Sequence, residues 1–144
     1  MESLASRRII LHCSATKADP FLDVETVRRW HVNTNGWRDV GYHFVIKVDG
    51  TIEVGRPLSM KGAHTKGHND SIGVCYIGGK SNQGHPKDTM TPQQEVAFEN
   101  LVLSLRCLFG NLTLHGHNEY SNKRCPCFDV SEKFDYLEPH GLTT

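Results

Sequence analysis

The sequence lacks any apolar run near the ~20 residues that a membrane-spanning helix requires. It also lacks an excess of either charge, because 16 basic residues balance 16 acidic ones. No internal repeat, low-complexity tract or linker divides the chain. These absences argue against a membrane-spanning protein and against a general binder of nucleic acids. They favour a single domain over residues 1–144 with a small, specific substrate site.

Cysteine is present, but not in a spacing typical of a disulfide scaffold. The odd set comprises Cys13, Cys75, Cys107, Cys125 and Cys127. The amino terminus has only a three-residue apolar stretch after its basic pair, shorter than the roughly 7–15 residues of a signal-peptide core. We therefore expect a cytoplasmic protein with reduced thiols. A thiol near histidines is then a candidate metal ligand.

Segments of strand character alternate with helical patterns along the chain. Apolar runs of strand length occur in RRIILHC, YHFVIKVDGTIEVG, SIGVCYIGG and LTLHGH. The continuous apolar character of SIGVCYIGG indicates a strand buried on both faces. Asp49-Gly50 is a dipeptide that suits a type I′ hairpin turn between two of these strands.

Three helices are predicted, two of them between strands and the third after the last strand. The first covers residues 23–36 and begins with an aspartate as its cap. The second covers residues 91–110, has Thr91 and Gln94 in capping-box positions and ends at a glycine. A weaker third helix covers residues 129–137. Together these elements predict an α/β domain with a central mixed sheet flanked by helices.

A cluster of metal-ligand types lies in LTLHGHNEYSNKRCPCFD. His115 and His117 would project to the same face if both lie on a strand, so both can be ligands. Adding Cys125 and Cys127 gives a closed four-ligand structural zinc site, although their spacing is not that of a zinc knuckle. Without a metal, the segment is an exposed thiol beside two basic residues. Spacing alone does not decide among these alternatives.

Four stretches occur in the order LHCSAT, GWRDVGYHFVIKVDGTIEVGR, GAHTKGHNDSIGVCYIGG and GHNEYSNKRCPCFD. In this order they resemble the zinc-dependent N-acetylmuramoyl-L-alanine amidases of the type 2 family, in particular the short phage lysozymes of this class. The resemblance covers about residues 9–134. It implies an α/β fold like that of the amidases and peptidoglycan-recognition proteins.

The resemblance also implies roles for individual residues. His12, His117 and Cys125 correspond to the three zinc ligands of the family, which leave one coordination position open. Tyr42 corresponds to the active-site tyrosine, and Lys123 falls on a catalytic position where the phage enzymes carry lysine.

Other positions match the family less directly. His64 and Asn69 match the segment that borders the substrate groove, so they are expected to contact substrate. His115 lies outside the matched motif and becomes a neighbour of the site. Cys127 departs from the family, whose members usually carry glycine or serine there.

The implied activity is hydrolysis of the amide between N-acetylmuramic acid and the L-alanine of the stem peptide. A zinc-activated water attacks, the tyrosine assists, and the lysine stabilises the oxyanion. The biological setting would be a monomeric phage endolysin, held in the host cytoplasm until the membrane is permeabilised. The alternatives are a peptidoglycan-recognition module that binds without cutting, against which Cys125 argues, and an added role as inhibitor of a phage RNA polymerase.

Overall fold

The computed structural model of the chain describes residues 7–140, which build one five-stranded sheet. The strands are β1 (Arg8–Cys13), β2 (Phe44–Ile46), β3 (Ile52–Val54), β4 (Ile72–Tyr76) and β5 (Thr113–Gly116). Their order across the sheet is β3-β2-β4-β1-β5. β1 pairs in parallel with β4 and β5, β2 pairs in parallel with β4, and β3 is antiparallel to β2. The mixed sheet predicted from the sequence is confirmed.

The central strands are buried because both faces of the sheet are covered. Alternate residues of β1, such as Ile9 and Leu11, join the larger core cluster with the long helix that follows β4. A smaller cluster on Val24 and Val27 packs against β2 and β4. The buried His12 lies between Leu11 and Cys13 in sequence, so strand alternation directs it away from the larger cluster.

Two helices begin where the sequence predicts. α1 (Val24–Asn33) is capped by Asp23, which accepts a hydrogen bond from the Thr26 N–H (3.0 Å). It ends before the predicted limit near Gly36, which has a φ of +70° and takes the chain out of helical geometry.

The capping box of α2 (Pro92–Phe109) is confirmed. The Gln94 N–H donates to Thr91 Oγ1 at 3.1 Å, and the Thr91 N–H donates to Gln94 Oε1 at 2.9 Å. Gly110 ends the helix as expected, with a φ of +91°.

The predicted type I′ turn at Asp49-Gly50 is wrong. That turn needs a positive φ at both central residues, whereas only Gly50 of the pair has one (+92°). The Gly50 N–H donates to the Lys47 carbonyl, and the Lys47 N–H donates to the Thr51 carbonyl, both at 2.8 Å. The strands are therefore joined by a three-residue loop that ends in a left-handed glycine.

The predicted third helix is shorter than expected. α3 (Val130–Lys133) is one turn long, and a separate 3₁₀ turn follows at Asp135–Leu137. Phe134 separates them with non-helical backbone angles, and its buried ring packs 5.0 Å from that of Phe98. Core packing of this aromatic ring outweighs the weak local helical pattern.

The parallel pairing positions the functional residues. Because β1 and β5 run in the same direction, their carboxyl ends meet at one edge of the sheet, where Leu11 is opposite Gly116. The residues that follow each position, His12 and His117, are therefore neighbours. Within residues 7–140, no helix has the length and apolar content needed to cross a membrane.

Candidate metal centre and active site

Three side chains converge at the carboxyl edge of the sheet. His12 comes from β1, His117 opens the 3₁₀ turn after β5, and Cys125 lies in the loop before α3. One ligand atom from each lies within 4.8 Å of the others, and no other such group of three was found among residues 7–140. The rings of His12 and His117 have centroids 4.5 Å apart.

Both imidazoles are held in the neutral form that metal ligation requires. Burial lowers the pKa of His12 well below its ordinary value, with His64, His117 and Lys123 adding to the effect. Burial also lowers the pKa of the half-buried His117, and the charge of Lys123 lowers it further. Each ring therefore keeps a lone pair near neutral pH.

The Cys125 sulfur is positioned by the backbone of β1. The Cys13 N–H donates a hydrogen bond to Cys125 Sγ at 3.1 Å, and the same sulfur lies 3.8 Å from the Cys13 carbonyl oxygen. The hydrogen bond with Cys125 and burial raise the pKa of the Cys13 thiol, and burial raises the pKa of Cys127 to about 11. Of these three cysteines, only Cys125 belongs to the ligand group.

Cys127, like Cys125, packs against the hydrophobic core, but it lies outside the ligand group. Its sulfur lies 4.0 Å from Cys13 Sγ and donates to the Gly79 carbonyl at 3.3 Å. Its φ of +78° lies in the left-handed region that glycine adopts most readily. A glycine would adopt this backbone conformation without the strain that a side chain brings.

His115 does not share the site with His117. β5 ends at Gly116, so the strand alternation that would align the two histidines stops between them. The buried His115 ring has Nδ1 2.9 Å from Glu119 Oε1 and 2.8 Å from the Tyr120 hydroxyl. The structure thus contains neither the His115–His117 ligand pair nor the closed four-ligand set.

The metal-ligand group opens into a cleft of about 260 Å³. Tyr42 lines it, with its ring 5.1 Å from that of His12, and desolvation raises the pKa of its hydroxyl well above the ordinary value. Lys123 is exposed and lines the same cleft. The structure therefore brings together all five residues that the sequence assigns to ligation and catalysis.

His64 and Asn69, the two predicted substrate residues, are engaged mainly with the protein itself. His64 lines the cleft but is buried, and both of its ring nitrogens contact protein atoms. The Asn69 Oδ1 accepts hydrogen bonds from the backbone N–H groups of His64 (2.7 Å) and Thr65 (2.9 Å). Asn69 thus holds the turn that carries His64, and the substrate role of both residues stays a prediction.

Two aromatic residues that line the cleft were not predicted as site residues from the sequence. His31, which the helical pattern places at the edge of the core, lines the cleft together with Trp37. Their rings are 4.7 Å apart, and the Gly41 N–H donates to His31 Nδ1 at 2.8 Å. The two aromatic residues flank the loop after α1, and this local grouping in WHVNTNGW is the signal that could have revealed them.

Fold and site together define a class of protein. An α/β domain carries two histidines and a cysteine in an open cleft, a group of residues that could hold a metal ion. Residues 2–128 match the family of N-acetylmuramoyl-L-alanine amidases (Amidase_2). The chain belongs to this family.

Individual relatives agree with the family match. The chain is 43% identical over 132 residues to an endolysin of Klebsiella phage KP32, covering 91% of this chain and 87% of the relative. Among solved structures, the N-acetylmuramoyl-L-alanine amidase LysC from Clostridium intestinale matches with a TM-score of 0.75 and 26% identity, over 90% of this chain and 85% of that one. Apis mellifera PGRP-SA matches with a TM-score of 0.81, at 23% identity over 100% and 91% of the two chains, which shows the shared fold.

Proposed function

We propose that this chain is a zinc-dependent peptidoglycan amidase of the endolysin type. It hydrolyses the amide bond between N-acetylmuramic acid and the L-alanine of the stem peptide. The observation that carries the proposal is the convergence of His12, His117 and Cys125 in a cleft that Tyr42 and Lys123 also line. Family membership and the similarity to phage endolysins support the same substrate.

The residues present fit a zinc ion. Two neutral imidazoles and a thiolate are ligand types that zinc prefers, and three protein ligands are typical of its catalytic sites. When bound, zinc would supply a Lewis acid that lowers the pKa of a coordinated water and polarises a carbonyl group.

Lys123 is suited to stabilise the charge that develops on the amide oxygen. As water adds to the carbonyl carbon, the C=O electron pair moves to oxygen, and a nearby ammonium group lowers the energy of that state. Lys123 lines the same cleft as His12 and His117, and its charge contributes to lowering the pKa of both rings.

Tyr42 is suited to orient the reacting groups. Because its pKa is raised, its hydroxyl stays protonated and can donate a hydrogen bond to an oxygen in the cleft while accepting one from water. When the C–N bond breaks, the nitrogen of L-alanine leaves with a proton, and the lactyl group becomes a carboxylate.

Digestion of purified peptidoglycan followed by mass analysis tests the proposed function. An amidase releases intact stem peptides with a free L-alanine amino group and leaves glycan strands with free lactyl carboxylates. Cleavage within the glycan or within the peptide would contradict the proposal. Binding without any new product would instead favour the recognition module.

The biological setting follows from the same proposal. An endolysin would accumulate as a monomer in the host cytoplasm and reach the wall after the membrane is permeabilised. Inhibition of a phage RNA polymerase stays a prediction of the family resemblance.

A further inference from the structure

The buried His64 ring has a defined pattern of hydrogen-bond donors and acceptors. Its Nε2 lies 2.9 Å from the Ser71 carbonyl oxygen, which can only accept. Nε2 therefore carries the ring proton, and the Nδ1 of the neutral ring is an acceptor. Any group that forms a hydrogen bond with His64 Nδ1 must therefore be the donor.

Two groups approach His64 Nδ1. His12 Nε2 lies 3.0 Å away and Thr65 Oγ1 2.8 Å away, while Thr65 Oγ1 is 3.2 Å from His12 Nε2. His12 can donate to His64 directly, or donate to the threonine oxygen while that hydroxyl donates to His64. In both arrangements the proton of His12 is on Nε2, so its lone pair is on Nδ1.

The backbone holds the His64 ring tightly in place. A Cβ atom added at Gly62 or at Gly73 would lie 2.5 Å from His64 Cδ2, so the ring occupies a slot that only glycine leaves open on these sides. The Asn69 side chain fixes the backbone of the same turn. The ring therefore has little freedom to rotate away from His12.

We propose that His64 is a positioning residue for the metal centre, which holds His12 as the Nε2–H tautomer and so presents its Nδ1 to zinc. This inference rests on the proposed function, since it assigns a role toward the zinc ion. Metal-ligating histidines commonly donate their second N–H to a carboxylate or a carbonyl, and loss of that partner weakens metal binding by roughly 10–100-fold. In this chain the His64 imidazole and the Thr65 hydroxyl are the acceptors available to the second N–H of His12.

Zinc affinity, measured by competition with a chromophoric chelator, tests the role of His64. His64→Leu removes all hydrogen bonds of the ring at similar bulk and should weaken zinc binding by roughly 10–100-fold. His64→Gln offers an amide oxygen and an amide N–H on one planar group, so it should restore much of the affinity. His85→Leu removes an exposed histidine that belongs neither to the ligand group nor to the cleft lining, and it should bind zinc like the unmodified protein.

The outcomes separate this inference from the proposed function. His12→Ala should lose zinc; retention of tight binding there would overturn the proposed metal site itself. If His12→Ala loses zinc while a folded His64→Leu binds as tightly as the unmodified chain, the positioning role is wrong and the metal site stands.

A measurement on the unmodified, zinc-loaded protein needs no variant to fold. Nitrogen-15 NMR of labelled histidines should show a proton on His12 Nε2 and a metal-shifted Nδ1. His64 should carry its proton on Nε2. A His12 that binds zinc through Nε2, with the proton on Nδ1, would refute the proposal.

Discussion

Leu11 of β1 is paired with Gly116 of β5, and this parallel register places the following residues, His12 and His117, with their rings 4.5 Å apart. Two residues separated by more than a hundred positions thus become neighbours through strand pairing. The third ligand, Cys125, is aligned by the N–H of Cys13, which directly follows His12 in the same strand. The candidate metal centre is therefore assembled at the carboxyl edge of the central sheet, with β1 positioning two of its three residues.

We expect one zinc per chain, held by this group. His12→Ala and His117→Ala should each lose most of the metal, because two remaining ligands hold zinc poorly. His115→Gln should retain it, since His115 faces Glu119 and Tyr120 instead of the cleft. Elemental analysis of protein dialysed against a weak chelator gives the stoichiometry. Equal loss in the His115 variant would mean that the adjacent-histidine arrangement is correct.

The two cysteines flanking Pro126 should respond in opposite ways to replacement by serine. Cys125→Ser should remove or greatly weaken zinc binding and abolish hydrolysis, because the thiolate ligand is lost. Cys127→Ser should keep both, since its sulfur contacts the core and the Gly79 carbonyl. Zinc content and lysis of purified walls are measured for both variants. The reverse pattern would show that the ligand has been assigned to the wrong thiol.

Lys123→Ala should retain zinc and fold but lose turnover. Removal of one group that stabilises an oxyanion costs about 10²–10³ in turnover, or about 2.7–4 kcal/mol in the barrier. Arg124→Ala is the matched control, because Arg124 is exposed beside Lys123 yet does not line the cleft. The rate of amide cleavage on a soluble muropeptide is measured for both variants and for the unmodified protein. Similar rates for the two variants would mean that Lys123 is an ordinary solvated lysine without a role in catalysis.

Tyr42→Phe removes only the hydroxyl and keeps the ring against His12. We expect a fall in turnover of about 10²–10⁴-fold if the hydroxyl takes part in proton transfer in the reaction. Thermal unfolding should change little, because the ring packing is preserved. Tyr136→Phe, at an exposed tyrosine that donates to Glu99, serves as the control. An unchanged rate for Tyr42→Phe would leave Tyr42 with a structural role alone.

Acid should destabilise the metal-free protein through its buried histidines. Burial lowers the pKa of His64 to about 3, whereas an unfolded histidine titrates near about 6.5. Between these values the unfolded state binds a proton that the folded state does not, so the free energy of unfolding falls as the pH drops from about 6.5 towards 3.

Denaturant unfolding with a chelator present measures this dependence. The loss should approach about 1.4 kcal/mol per pH unit for each such histidine. His64→Gln should show a smaller dependence in the same range, because the group that titrates has been removed. The same pH dependence in both proteins would mean that His64 is not held neutral by burial.

The sequence by itself determined those features that depend on local or near-local chemistry. The capping box at Thr91 and Gln94 begins a helix because its two hydrogen bonds span only three residues. The continuous apolar run at Ile72–Tyr76 becomes a central strand because only a doubly covered position buries every side chain. Ordered motifs also placed His12, Tyr42, His117, Lys123 and Cys125 in one site, through resemblance to a family with a known arrangement.

Only the tertiary structure decided which of several chemically equivalent residues face the cleft. His115 and His117 look alike in sequence, and the end of β5 at Gly116 separates them. Cys125 and Cys127 both pack against the core, but the path of the loop brings only the Cys125 sulfur into the ligand group and directs the Cys127 sulfur to the Gly79 carbonyl. His64 became a partner of His12 only when β1 and the turn held by Asn69 packed together. Such choices depend on contacts between distant segments, which no local pattern encodes.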